Sequence, residues 1–236
     1  MKQFIKLMLL CFVTTVVVDS LHAQKTVDLH NKLWYALPAN SWEEALPLGN
    51  SRLGAMVYGK TAVEEIQLNE ETIWGGGPYT NNNPKALNVL DEVRKLIFDG
   101  KNRQAEDIIN QNFFTRTHGM PFQTAGNIFL HFEGHNNVSD YYRELDIANA
   151  VTTTRYKHNG VEFVRHTIAS FADDVIIMHI SANKKGAITF DLDYKSRAPH
   201  KVANNGKSLV VYGQGTDHEG IKGQVRYQIH AFAKNK

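Results

Sequence analysis

Cysteine is all but absent: Cys11 is the single one in 236 residues. That excludes a disulfide scaffold and any zinc site built on thiolates. Proline is scarce too, at 6, and the 17 glycines are too few for a collagen-like or low-complexity chain. No charge of one sign dominates. Lys and Arg number 26 against 24 Asp and Glu, a formal +2 with no basic block, so the concentrated positive face of a nucleic-acid binder is missing. No apolar run reaches the roughly 20 residues that a membrane-crossing helix needs. Neither a nucleic acid nor a membrane is therefore an expected partner. What is present, 42% hydrophobic and 21% charged residues, is the composition of a core-forming globular chain.

Residues 1–23 read as an export signal rather than as fold. Lys2 and Lys6 precede the apolar stretch Leu7 to Val18, and Leu21-His22-Ala23 places a small residue before a cut at Gln24. Cys11 would leave with the signal, as would Lys2, Lys6 and Asp19. The chain from 24 to 236 would then be a cysteine-free domain suited to an oxidising compartment, periplasmic or secreted.

Most of that domain reads as β. Leu53 to Tyr58 is apolar at nearly every position, as in a strand covered on both faces. Glu65, Gln67 and Asn69 alternate with Ile66 and Leu68. The same period of two returns in Ile128/Leu130/Phe132, Ile188/Phe190/Leu192/Tyr194 and Val225/Tyr227/Ile229/Ala231. Asn159-Gly160 between two such runs predicts a type I′ hairpin. Turns are expected at Asp173-Asp174, Asn183 to Gly186 and Asn204-Asn205-Gly206.

One region departs from the pattern. Asn83-Pro84 forms an N-cap and N1 pair before Leu87, Leu90, Val93 and Ile97 at helical spacing, and Gly100 stops the run. A second helix begins near Lys101 or Asn102, with Ala105, Ile108 and Ile109 on its apolar side. The expected fold is mainly β, a large antiparallel sandwich with a helical hairpin inserted over about residues 84–112. The strand pattern runs almost to Lys236 with no closing element, so the domain reads as incomplete at its C-terminus.

Chemistry-bearing residues are fewer. Adjacent carboxylates on a strand point to opposite faces and cannot form a hydrolytic pair. The doublets Glu43-Glu44, Glu64-Glu65, Asp91-Glu92 and Asp173-Asp174 therefore read as solvated surface or turn. His131 and His135 lie at a strand end, where their spacing is not that of a metal pair, and no metal or other cofactor is expected. There is no G-x-S-x-G elbow and no phosphate-binding glycine motif; Gly75-Gly76-Gly77 is only a run. The most informative stretch is Ile66 to Tyr79. There, a strand leads into a polar turn with Asn69, Glu70 and Glu71, and Trp74 precedes the three glycines. An aromatic face can cover the C–H side of a pyranose while amide and carboxylate groups meet its hydroxyls. Trp74, Asn69, Glu71 and Glu70 are thus candidate carbohydrate contacts. The competing reading has Trp74 as a core anchor and Glu70 or Glu71 holding the loop.

Several blocks resemble a known family. Leu33-Trp34-Tyr35, Pro38-Ala39, Trp42 and Glu44 to Gly59 are similar to the opening of glycoside hydrolase family 95, the α-L-fucosidases. Gln67 to Trp74, Phe122 to Ile128 and Asp140 to Ile147 resemble its later blocks, in family order. Ser51 stands where the family usually has Gly, Asn127 where it often has Asp, and His166 where a Glu commonly follows the Arg. The resemblance implies an N-terminal super-sandwich followed by an (α/α)6 barrel. It also implies an inverting mechanism in which a Glu protonates the leaving oxygen and an Asn-held water attacks. Those catalytic groups belong to the barrel, so no catalytic residue is assigned here. The expected function is that of a non-catalytic N-terminal domain of an exported fucosidase-like enzyme, inactive alone and partnered by the barrel. The alternative is a stand-alone carbohydrate-binding module.

Overall fold

The computed structural model describes residues 31–115, 119–204, 206 and 208–234; residues 1–23, expected to be an export signal, lie outside them. Among the described residues, the unit Leu33–Lys236 contains thirteen strands, a 3-10 turn at Trp42–Glu44 and one helical hairpin. Three antiparallel sheets result. The first has the order β1 (Lys32–Tyr35), β6 (Ser139–Asp146), β7 (Val151–His158), β8 (Val161–Ser170), β9 (Val175–Ala182). The second runs β10 (Asp191–Lys195), β5 (Gly126–His131), β4 (Val63–Glu70), β3 (Leu53–Val57), β2 (Leu46–Gly49). The third is β11 (His200–Asn204), β12 (Ser208–Gln214), β13 (Arg226–Phe232).

Local chemistry accounts for much of this. Asn159 and Gly160 both take positive φ, 49° and 75°, as a two-residue I′ turn requires, and join β7 to β8 in register from His158↔Val161 onward. Asp174, at φ 54°, turns the chain into β9. In β4, Ile66 and Leu68 face the first sheet while Glu65, Gln67 and Asn69 alternate outward. Leu46, Leu48, Ala55, Val57, Ile66, Leu130, Phe132 and Leu145 form the main core, with Ile176, Met178 and Ile180 packed on it. Each fully buried side chain of this size contributes about 1.5–3 kcal/mol. On the outer side of the second sheet Met56 packs on Ala39, Ala45 and Tyr58, which is why β3 is apolar throughout. A smaller cluster, Tyr194, Leu209 and Val211, joins the third sheet to the second.

The hairpin consists of α1 (Lys85–Phe98) and α2 (Asn102–Asn112). Asn83 caps α1 through its Oδ1, which accepts the Lys85 amide at 3.1 Å, and Gly100 reverses the chain at φ 73°. The ends are clasped by Asn83 Nδ2 donating to the Phe114 carbonyl and Thr115 Oγ1 donating to Asn81 Oδ1. The expected apolar stripe is not buried as a stripe. Val93 and Ala105 are buried, whereas Leu87 and Ile97 lie open, because the two helices pack on each other and bury only their mutual seam. A second departure is in β10, which begins at Asp191. Ile188 is 37% exposed and precedes the ladder.

The reading of Glu64 as surface is overturned. Its side chain is fully buried, and Arg165 donates to it at 2.9 Å from a site only 1% exposed. Glu64 Oε1 also accepts the amides of Gly59, Lys60 and Glu65. Arg165 donates further to the carbonyls of Lys60 and Thr61 and to the Tyr156 hydroxyl, and its guanidinium lies 4.0 Å from the Phe132 ring centroid. Burial pushes the Glu64 carboxyl above the ordinary carboxylate range, against the pull of Arg165 and the Gly59 amide. A buried acid persists here because its partners satisfy it from both chain and side chain.

Candidate functional site at the end of β4

Glu70 and Asn69 leave β4 on opposite faces. Glu70 continues the core-side row of Ile66 and Leu68, and at the edge of the sandwich meets Arg52. Its Oε1 accepts Arg52 Nε at 3.0 Å, and its Oε2 accepts the Thr72 amide at 2.9 Å and the Thr72 hydroxyl at 2.6 Å. Arg52 Nη1 reaches on to Asp174 Oδ2 at 2.8 Å. The chain Glu70–Arg52–Asp174 thereby ties the second sheet to the turn before β9. Partial burial raises the Glu70 pKa, but the Thr72 and Arg52 hydrogen bonds outweigh it, and the net shift is downward. Glu70 is a brace.

Asn69 projects from the outer face opposite Gly54, and among the described residues its amide makes no hydrogen bond. Glu71 is exposed. Its amide donates to the Arg52 carbonyl at 3.2 Å, and its own carbonyl accepts the Trp74 indole N–H at 3.0 Å. Trp74 is 42% exposed and meets the 45%-exposed Phe122 edge to face, with centroids 5.3 Å apart. It is neither a core anchor nor a free ring: its N–H is spent on the loop, while much of its π surface stays open. The structure thus brings Trp74 together with Glu71, holds Glu70 in a separate ion chain, and sets Asn69 on another face.

The three glycines have a steric cause. Gly75 N donates to the Pro121 carbonyl and Gly76 N to the Thr216 carbonyl, both at 2.8 Å, and Gln224 N returns a bond to Gly76 O at 2.9 Å. Gly76 has φ 62°, and a Cβ there would overlap Met120 Sδ; a Cβ on Gly77 would meet Gln224 at 2.7 Å. Gln123 completes the clasp. Its Nε2 donates to Thr216 Oγ1 and its Oε1 accepts the Thr216 amide. Three loops are stitched at backbone distance under Trp74. Phe122, which lies in one of the resembling blocks, was legible as a motif residue but not as the partner of Trp74.

A related arrangement occupies the outer face of the second sheet. Trp42 Nε1 donates to Gln67 Oε1 at 2.8 Å, and Asn127 Nδ2 donates to Glu65 Oε1 at 2.7 Å. The second contact accounts for Asn127, because an Asp at that position would face Glu65 with like charge and no donor. Among the described residues no group of three or more His, Cys, Asp or Glu is placed to hold a metal ion. No helix among them is long and apolar enough to cross a membrane.

The fold and site define a mainly β domain, an antiparallel sandwich with an exposed aromatic pair on a stitched loop. The comparison with known families agrees: the chain belongs to the family described as glycosyl hydrolase family 65, N-terminal domain, matched over residues 33–235. It is similar to "Alpha-L-fucosidase 2" of Arabidopsis thaliana, 33% identical over 191 residues, covering 78% of this chain and 22% of the relative. It is also similar to "Probable alpha-fucosidase A" of Aspergillus niger, 28% identical with 77% and 24% covered. The namesake from Aspergillus oryzae is 30% identical with 68% and 23% covered. The chain spans about a quarter or less of the length of these curated relatives. It is a fucosidase-like N-terminal domain.

Proposed function

We propose that this chain is the non-catalytic N-terminal domain of an exported α-L-fucosidase-like glycoside hydrolase acting on fucosylated glycans, and that it is inactive alone. The observation that carries the reading is the state of its carboxylates. Glycoside hydrolysis needs a protonated acid facing a second group across an open site. Glu64, the acid whose pKa is raised by burial, is sealed in the core. Glu70 is held on the ionised side by Thr72 and Arg52. The chemistry belongs to an (α/α)6 barrel partner, and export to a leader at residues 1–23. In an assay of nitrophenyl α-L-fucoside hydrolysis, pure chain gives no release above buffer; release above buffer contradicts the proposal.

A second reading, carbohydrate binding by the domain itself, is favoured by the open face of Trp74 beside Phe122. In it Trp74 stacks on the sugar, Glu71 and Asn69 meet hydroxyls from either side of the loop, and Glu70 acts only through the loop it braces. Calorimetry with a fucosylated oligosaccharide tests it. Heat that disappears in Trp74→Ala supports it, and the absence of heat at millimolar ligand removes it.

A further inference from the structure

The third sheet turns one face outward. Leu209 and Val211 of β12 are buried against Tyr194, so the residues between and after them, Val210, Tyr212 and Gln214, turn outward. Register then places Lys201, Tyr212 and Gln228 side by side across the three strands, with Gln214 opposite Arg226 in the next row. These residues line an open groove of about 730 Å³. Tyr212 stands 49% exposed at its centre. Gln214 is fixed by its Nε2, which donates to the Gly223 carbonyl at 2.8 Å.

The fixed charge of the groove is of one sign. Lys201 stands opposite Tyr212 and Arg226 one row on, opposite Gln214; no Asp or Glu lines the groove, and among the described residues neither cation has a carboxylate partner. Several cations elsewhere are held, Lys60 by Glu65, Lys157 by Asp140, Lys222 by Asp217 and Arg52 by Glu70 and Asp174, whereas exposed lysines such as Lys184 and Lys185 stand on open turns outside the groove. Two free cations around an exposed phenol ring match a ligand that combines an anionic group with a flat apolar face. A planar guanidinium and an ammonium receive the oxyanion, the ring covers the C–H face of a pyranose, and the Gln228 amide can exchange hydrogen bonds with hydroxyls. Membership in a glycoside hydrolase family makes the ligand a sugar; the groove makes it an acidic one.

We propose that the outer groove of the β11–β12–β13 sheet binds an anionic sugar residue of a glycan, through its carboxylate or sulfate ester. The site is distinct from the Trp74 loop and does not depend on the domain's being inactive or exported. Calorimetry of the full chain with trigalacturonate and with fucose sulfate tests it, and the ligand that binds assigns the anion as carboxylate or sulfate. Saturable binding is expected with one of them and none with maltotriose. Tyr212→Ala, or Lys201→Gln with Arg226→Gln, should weaken it about tenfold, with circular dichroism unchanged. Lys184→Gln with Lys185→Gln removes the same charge from the turn after β9 and should leave the affinity unaltered. No saturable heat with either anion, equal weakening by both charge pairs, or equal affinity for a triglutamate peptide overturns the proposal.

Discussion

Glu64 and Arg165, 101 residues apart in sequence, meet at 2.9 Å in the interior of the sandwich with side chains 0% and 1% exposed. Between them they join β4, the turn at Gly59 to Thr61, and β8, so the pair sets how the two large sheets lie on each other. Removing one member of a buried pair strands the other and costs about 3–5 kcal/mol. Arg165→Met and Glu64→Gln are each expected to lower stability by that order in urea unfolding. The double change Glu64→Leu/Arg165→Met should not recover the loss, because the carbonyls of Lys60 and Thr61 and the Tyr156 hydroxyl lose their donor. A double variant as stable as the original chain would show that the network is dispensable.

Ser51 sits at φ 78°, in the left-handed region that favours glycine, at the position where the resembling family usually has Gly. The strain of a side chain there exceeds the added freedom of Gly in the unfolded chain. Ser51→Gly should raise stability by about 0.5–1 kcal/mol, read as a higher urea midpoint with unchanged m-value. A lower midpoint would contradict it.

Gly76 is the opposite case. Its φ of 62° and the Met120 side chain that would overlap a Cβ make Gly76→Ala costly, about 1–3 kcal/mol. The loss should appear together with a change in tryptophan emission, since Trp74 rides on the loop that Gly76 anchors. A stable variant with native emission would place the strain elsewhere.

His135 is buried, its Nδ1 bonded to the Tyr156 hydroxyl at 2.9 Å and its ring stacked on His158 at 4.4 Å, with Phe132 and Phe163 around it. Burial, then repulsion from His158 and Arg165, holds its pKa below the ordinary 6.5. The folded state therefore binds fewer protons than the unfolded one. Its stability contribution is full above the unfolded value near 6.5 and is lost as pH falls toward the folded value. The lowered acids Asp140 and Asp217 act in the same direction, but around their ordinary value of 3.8 and below. Glu64, whose carboxyl burial raises, acts in the opposite direction above its ordinary range, so the His135 contribution is read as a difference: between pH 7.5 and 5.5 the thermal midpoint of the unaltered chain should fall relative to that of His135→Asn. Equal slopes would remove His135 as the cause.

What could be read from the sequence was what is encoded locally. Period-two alternation marked β4, β5 and β13, Asn159-Gly160 marked the β7–β8 hairpin, and Asn83 with Gly100 bounded α1, because each depends on residues within a few positions. Glu64 was misread because its burial is decided by Arg165, far along the chain. The apolar stripe of α1 was overcounted because periodicity states which face is apolar, not whether anything covers it. At the candidate site Trp74 was recognisable by type, but the division of Asn69 and Glu70 between two faces follows from the β4 register. Met120 and Thr216 entered only through folding, as did the pairing of Phe122 with Trp74. The groove of the third sheet depends on three strands in register and left no contiguous motif.

The most direct test of the central reading follows nitrophenolate release from nitrophenyl α-L-fucoside by the pure chain across pH 5 to 7, beside Glu70→Gln and Glu71→Gln variants. The predicted result is a flat trace, identical to buffer, for all three proteins. Saturable release by the unaltered chain that falls in either variant would place catalytic chemistry on this domain and contradict the account.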